Sequence, residues 1–231
     1  MSVSKRDLRK EKNREAILEA ALTIAREEGW EKVTIRKIAD RILYTPPIVY
    51  EHFKNKDDLL HQLIKQGYDE LRASTLAAVK DSDPPRERIK NLMKVRLKFN
   101  MDRPTLHQLM FDFSLPEWQR EQAYINMRAI ASLALKAFKE LTGGSQKEVQ
   151  GYFMNMVALV MGYTMIVSNF MGSNAPPPEF FQKLHGLTEE PAEAGPLPLV
   201  LMTEKNGNER ALRLFEQAID RFLDSIKNAE S

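Results

Sequence analysis

The chain of 231 residues is long enough for one large domain or two modest ones, and 43% hydrophobic with 29% charged residues is a globular balance that excludes a disordered chain. The lack of cysteine excludes disulfide scaffolds, thiolate metal centres and cysteine nucleophiles. A formal net charge of only +2 excludes a uniformly basic coat for nucleic acid, so any such surface must be local.

The first residues, MSVSKRDLRKEKNREA, are charged and carry no apolar core of a secretory signal, so none is expected. Lys5, Arg6, Arg9, Lys10, Lys12 and Arg14 outnumber Asp7 and Glu11 there, which makes residues 5–14 a basic tail. A helix is expected from Glu11 to Glu28, because Ile17, Ala20, Ala21, Ile24 and Ala25 repeat at helical spacing and Gly29 follows as a stop. Thr34 caps a short second helix with Ile35, Ile38, Ala39 and Ile42 on its apolar stripe. A third runs from Ile48 to Phe53, with Thr45 as its cap and Pro47 in its first turn. Pro46, standing before another proline, is expected outside that helix. Asn55 caps a fourth helix, with Asp57 and Asp58 at its positive end and Leu60, Leu63, Ile64, Tyr68 and Leu71 on its buried face.

Asp83-Pro84-Pro85 opens a fifth helix that ends near Met101, before Arg103-Pro104. A short sixth covers Thr105 to Phe113, and Pro116 opens a seventh that reaches Leu141 and stops at Gly143-Gly144. Ser145 and Glu148 form a capping box for an eighth, which runs to Met171. This eighth helix is apolar on nearly every side. Gln150, Asn155, Thr164 and Ser168 interrupt it, so burial against its own core and a partner subunit is expected rather than a membrane span. Residues 173–207 are rich in proline and glutamate, too long for an idle loop, with helical turns expected at Pro178–His185 and Leu197–Thr203. A last helix spans Glu209 to Lys227 with a wide apolar face. The expected fold class is all-α, with about nine helices.

Residues 34–53, TIRKIADRILYTPPIVYEHF, place two short helices around a tight turn, the outline of a helix-turn-helix. The second helix has few large apolar residues on its outward side, as a helix must that lies in a major groove. The wider stretch REAILEAALTIAREEGWEKVTIRKIADRILYTPPIVYEHFKNKDDLLHQLI resembles the N-terminal domain of the TetR family of transcriptional regulators. The resemblance rests on the turn from Trp30 to Thr34, Ile38-Ala39, the Tyr50–Phe53 motif and Asn55-Lys56 with Leu59-Leu60. It implies a dimeric DNA-binding regulator with a three-helix head (residues 1–56) and a helical regulatory and dimerisation domain (57–231). Tyr50, His52 and Lys56 then fall at phosphate-contact positions. Thr34, Arg36, Thr45, Pro46, Pro47 and Ile48 fall where backbone or base edges are met.

Two departures from the family pattern stand out. Leu43 occupies a turn position that usually carries glycine, at a cost of about 1–2 kcal/mol if the backbone there is left-handed. The double proline removes two donors from the helix tip, so a Thr45 side-chain cap would have to reach Ile48, and Pro46, Pro47 and Ile48 are expected to touch thymine methyl groups. The basic tail is a second candidate, as an arm crossing the backbone or entering the minor groove; deletion of residues 1–10 should then flatten the salt dependence of binding.

Helices 146–171 and 209–227 are the expected homodimer interface. Phe99, His107, Met110, Phe111, Trp118, Tyr124, Met127, Phe153 and Tyr163 are candidates to line a pocket for a small, largely apolar effector. No cofactor, metal site or catalytic residue is expected, because hydrolase, metalloprotease, P-loop and dinucleotide motifs are lacking. The reading is a cytoplasmic regulator, a repressor released by its ligand. A helical interaction module and an enzyme stand as alternatives, which a gel shift would separate.

Overall fold

A computed structural model describes residues 4–111, 117–170 and 207–228, and all regular structure among them is helical. In chain order the helices are α1 (Lys5–Glu28), α2 (Ile35–Arg41), α3 (Pro46–Tyr50), α4 (Lys56–Ala78), α5 (Pro85–Asp102), α6 (Pro104–Met110), α7 (Glu117–Thr142), α8 (Gln146–Phe170) and α9 (Gly207–Asn228). A 3-10 turn, Trp30–Lys32, links α1 to α2. The turns expected within 173–207 and the Pro116 start lie outside the described residues, and the sixth helix, expected to reach Phe113, ends at Met110 with Phe111 in a turn.

Local chemistry sets most helix starts. The Thr34 hydroxyl accepts from the Lys37 N–H at 3.2 Å, and the Asn55 side chain accepts from the Asp58 N–H at 2.8 Å. The capping box at α8 is complete. The Ser145 N–H donates to Glu148 at 2.7 Å and the Glu148 N–H to the Ser145 hydroxyl at 3.4 Å, and these bonds hold the Glu148 carboxyl below its ordinary pKa.

Two expectations need correction. The basic tail is not an arm. It forms the first turns of α1, capped by Ser4, whose hydroxyl accepts from the Arg6 N–H at 3.2 Å. Residues 5–14 contain only good or tolerable helix formers, and one cap extends the helix two turns beyond its apolar stripe. A helix about 10 Å across is broader than a minor groove about 6 Å wide, so the helical segment favours the backbone over the groove floor. Pro46 is also inside α3, as its first residue. The missing N–H groups of Pro46 and Pro47 remove no intrahelical bond there, and their fixed φ already suits the first turn.

Two compact units result. The first comprises Met1–Glu70 with Thr105–Ile125. Its core joins Ile17, Ile24, Val33, Ile38, Val49, Phe53, Leu59 and Leu63, all essentially inaccessible to solvent. Here α4 and α6 meet at Gly67, where a Cβ would collide with the Met110 sulfur and stand 3.1 Å from Leu106 Cγ. Beside it the Tyr68 hydroxyl donates to the Met110 carbonyl at 3.1 Å.

The second unit comprises Leu71–Pro104 and Asn126–Ser231. Its core packs Ile89, Met93 and Leu97 of α5, Ala137 and Phe138 of α7, Val160 of α8, and Phe215, Ile219 and Leu223 of α9. Each of the large side chains here, Ala137 aside, stabilises by about 1.5–3 kcal/mol when fully buried. A charged seam flanks this core between α5 and α9: Arg86 with Asp220 (3.1 Å) and Asp224 (2.9 Å), Lys90 with Asp220 (3.0 Å), and Lys94 with Glu216 (2.5 Å). Hydrogen bonding from Lys90, then Arg86, holds the Asp220 carboxyl below its usual range. Asn100 ties α5 to α8, donating to the Thr164 carbonyl at 3.2 Å and accepting from Ser168 at 2.9 Å.

α8 is long and apolar enough to span a membrane by length and composition. It instead packs one side on α5 and α9, through Val149, Met156, Val160 and Val167, and leaves Met154, Met161 and Met165 exposed on another.

Candidate nucleic-acid interface

The turn between α2 and α3 is built on a strained residue. Leu43 has φ +57°, the left-handed region that favours glycine, and its side chain is 92% exposed. The reason is the way α2 stops. The Tyr44 N–H donates to the Ala39 carbonyl at 2.9 Å and the Leu43 N–H to the Asp40 carbonyl at 3.3 Å, a Schellman pair that requires a left-handed residue. Leu43→Gly removes no packing and relieves that geometry. Less the entropy glycine adds to the unfolded chain, it is expected to stabilise the protein by about 0.5–1 kcal/mol, read as a rise in urea midpoint at unchanged slope.

The turn is held from the other side by α1: the Tyr44 hydroxyl donates to Asn13 at 2.9 Å. α3 ends at Tyr50 rather than at Phe53; it turns Val49 inward and Pro47 and Tyr50 outward, with Thr45 exposed before it and Phe53 buried after it. Pro46 and Ile48 are half-buried. Thr45 is the N-cap with extended backbone, but its side chain does not reach Ile48. The Ile48 N–H, the first one available after two prolines, donates to the Thr45 main-chain carbonyl at 3.0 Å. The Thr45 hydroxyl is thereby left for another partner.

Thr34 is exposed with its hydroxyl on the α2 cap. Of the basic residues of α2, Lys37 pairs with Glu28 at 2.5 Å and Arg41 with Glu27 at 2.6 Å. The Lys37 bond also lowers the Glu28 pKa. Arg36 is exposed and, among the described residues, has no carboxylate partner. Lys56, at the start of α4, donates to the Trp30 carbonyl at 3.1 Å. That bond fixes the ammonium in place and, among the described residues, takes one of its three donors.

His52 is half-buried, and its Nδ1 lies out of solvent with no hydrogen-bond partner. Burial first, and then the charge of Lys10, push its pKa below the ordinary histidine value. Sequence reasoning missed the contacts that α1 makes here: Asn13 on Tyr44, and Arg14 on Gln62 (2.9 Å) and 5.7 Å above the Phe53 ring. Asn13 and Arg14 share the helical face of Ile17, which is the signal that finds them.

The residues expected to line an effector pocket fall in both units. In the first, His107 and Met110 are buried, the His107 ring 4.6 Å from that of Phe111, and Phe111 meets Tyr68 edge-on at 5.8 Å. In the second, Phe99 is buried and Met127, Phe153 and Tyr163 are half-buried. The Tyr163 hydroxyl donates to the Leu214 carbonyl at 3.3 Å and its ring lies tilted against that of Phe215, centroids 4.8 Å apart. Burial raises the Tyr163 pKa. The side chains of Trp118 and Tyr124 lie outside the described residues. Among the described residues, no three His, Asp or Glu side chains converge where a metal ion could bind.

This is a helix-turn-helix head in an all-α protein. The family model of bacterial regulatory proteins of the tetR family matches residues 17–63, from the core of α1 into α4. The head is thus similar to the N-terminal domain of the TetR family. It is 31% identical over 91 residues to the HTH-type transcriptional regulator BetI of Rhizobium meliloti (strain 1021), a match covering 39% of this chain and 45% of that relative. The chain thus spans about half the length of this relative. A bacterial regulatory protein in the tetR family from Rhodococcus RHA1 superposes with a TM-score of 0.63 at 16% identity, covering 91% of this chain and 96% of that one. A possible TetR family transcriptional regulator from Streptomyces coelicolor A3(2) gives 0.61 at 16% identity, over 94% and 99%. At such identities the two structures show a shared fold.

Proposed function

We propose that this protein is a cytoplasmic transcriptional repressor that binds a near-palindromic DNA operator as a homodimer and is released by a small, largely apolar effector. The observation that carries the reading is the outward edge of the head. Thr45, Pro47 and Tyr50 of the α3 segment stand exposed, with Arg36 uncommitted on α2 and Lys56 held by the Trp30 carbonyl. In this reading Tyr50, His52 and Lys56 meet phosphates, and Thr34, Arg36 and Thr45 set the register. Pro46, Pro47 and Ile48 offer apolar surface to thymine methyl groups. One head reads too few base pairs, so two are needed, spaced by a helical turn of about 34 Å or a multiple of it. The exposed Met154, Met161 and Met165 of α8 support a paired molecule. Release by an effector is supported by the α4–α6 contact. Gly67 leaves no slack there, so a ligand that moves α6 moves α4, whose first residue is Lys56.

The test is selection from random duplexes, followed by binding measurements between 50 and 200 mM salt. The expected result is an inverted repeat with thymine beneath the α3 tip, and about tenfold weaker binding for Arg36→Ala and for Tyr50→Ala. A folded dimer that enriches no sequence and binds no duplex at low salt would overturn the reading and leave an interaction module.

A further inference from the structure

We propose that the first turns of α1 are a second DNA-binding element, in which Arg6 and Lys10 grip backbone phosphates flanking the groove that α3 enters. This rests on the DNA-binding reading above and extends it beyond the helix-turn-helix. The argument is one of register. On a helix, Arg6, Lys10, Asn13, Arg14 and Ile17 fall on one face. The C-terminal three of these are fixed to the head: Ile17 is fully buried, Asn13 holds Tyr44 just ahead of α3, and Arg14 lies over Phe53 just after it. The same face, continued toward the N-terminus, carries Arg6 and Lys10 alongside α3.

Electrostatics agree with that placement. Lys10 is close enough to His52, a candidate phosphate contact at the end of the α3 segment, to disfavour its charged form. Arg14 is committed to Glu11 (3.5 Å) and Gln62 (2.9 Å), whereas Arg6 and Lys10 are exposed and, among the described residues, have no carboxylate partner. Two cations held on a rigid, capped helix, one turn apart, lose little side-chain freedom in a backbone contact beyond that of the side chains themselves. They read no base, so they add affinity and salt dependence but no sequence preference.

The experiment compares the parent protein with the double variants Arg6→Gln/Lys10→Gln and Lys5→Gln/Lys12→Gln. The second pair removes the same charge from the opposite face of α1. Binding to the selected operator is titrated by fluorescence anisotropy across salt concentrations, with long and with end-trimmed duplexes. If each of the four cations in a dimer meets one phosphate, Arg6→Gln/Lys10→Gln lowers the log–log salt slope by about 3–4 and weakens binding at least tenfold at 150 mM salt. The Lys5→Gln/Lys12→Gln slope stays within one of the parent's, and trimming the ends weakens the parent but not Arg6→Gln/Lys10→Gln. An unchanged slope for Arg6→Gln/Lys10→Gln, or equal flattening by both pairs, would overturn the proposal while the operator reading stands. Failure of the parent itself to bind any duplex would overturn both.

Discussion

With the protein paired through α8 as proposed, Met154→Glu/Met161→Glu is expected to give a folded monomer and to weaken operator binding by 100-fold or more. The two side chains are 61% and 39% exposed within a single chain, and Met165, 68% exposed, continues the same face one turn on. Gly151 and Gly162 leave open space above the helix, so a second backbone can come close. A change there costs the protomer little. In a two-fold interface each substitution appears twice and faces its own copy, so four carboxylates would be dehydrated without partners, at several kcal/mol each. Loss of pairing also removes the effective concentration of the second head, typically a factor of about 10²–10⁴. Sedimentation at 1–100 μM, alongside circular dichroism, reads the result. Leucine at both sites should leave the dimer intact. A glutamate variant that stays dimeric would move the interface away from α8.

The helix starts were legible because a cap is a contact between residues two or three apart. Thr34, Asn55 and the Ser145–Glu148 box need nothing beyond their own neighbourhood. The strain at Leu43 was legible for the same reason: a turn that usually carries glycine advertises its backbone. The α1 start and the Pro46 assignment were misjudged where periodicity is silent, since an exposed basic turn has no stripe and a double proline suits both a loop and a first turn. At the site, the sequence could not separate Arg36 from Lys37 and Arg41. All three are basic and on one short helix, and only the distant Glu27 and Glu28 remove two of them from consideration. Met110 and His107 illustrate the opposite difficulty. An aromatic and methionine pattern looks the same in a pocket as in a core, and both residues are buried, with Met110 seated against Gly67.

Glu140→Ala should be among the most destabilising single changes in the second unit, by about 2–3 kcal/mol, whereas Arg88→Met/Glu140→Leu should be nearly neutral. The side chain of Arg88 on α5 is 5% exposed and pairs with Glu140 on α7, which is 40% exposed. The asymmetry in exposure decides the order of effects. Removing Glu140 leaves a guanidinium enclosed with no counter-charge, and an arginine cannot shed its proton to escape. Removing Arg88 leaves a carboxylate that water already reaches, so Arg88→Met should cost less than Glu140→Ala. Solvent access to Glu140 also screens the pair, which is why the expected loss lies below that of a fully enclosed ion pair. Replacing both residues with apolar groups of similar volume removes the dehydration cost with the attraction and lets the site join the neighbouring core of Ile89, Ala137 and Phe138. Urea unfolding of the parent, Arg88→Met, Glu140→Leu and the double variant closes the cycle, with Glu140→Ala measured beside them, all at one protomer concentration so that any self-association is compared alike. A Glu140→Ala protein within 0.5 kcal/mol of the parent would show that Arg88 finds its counter-charge elsewhere.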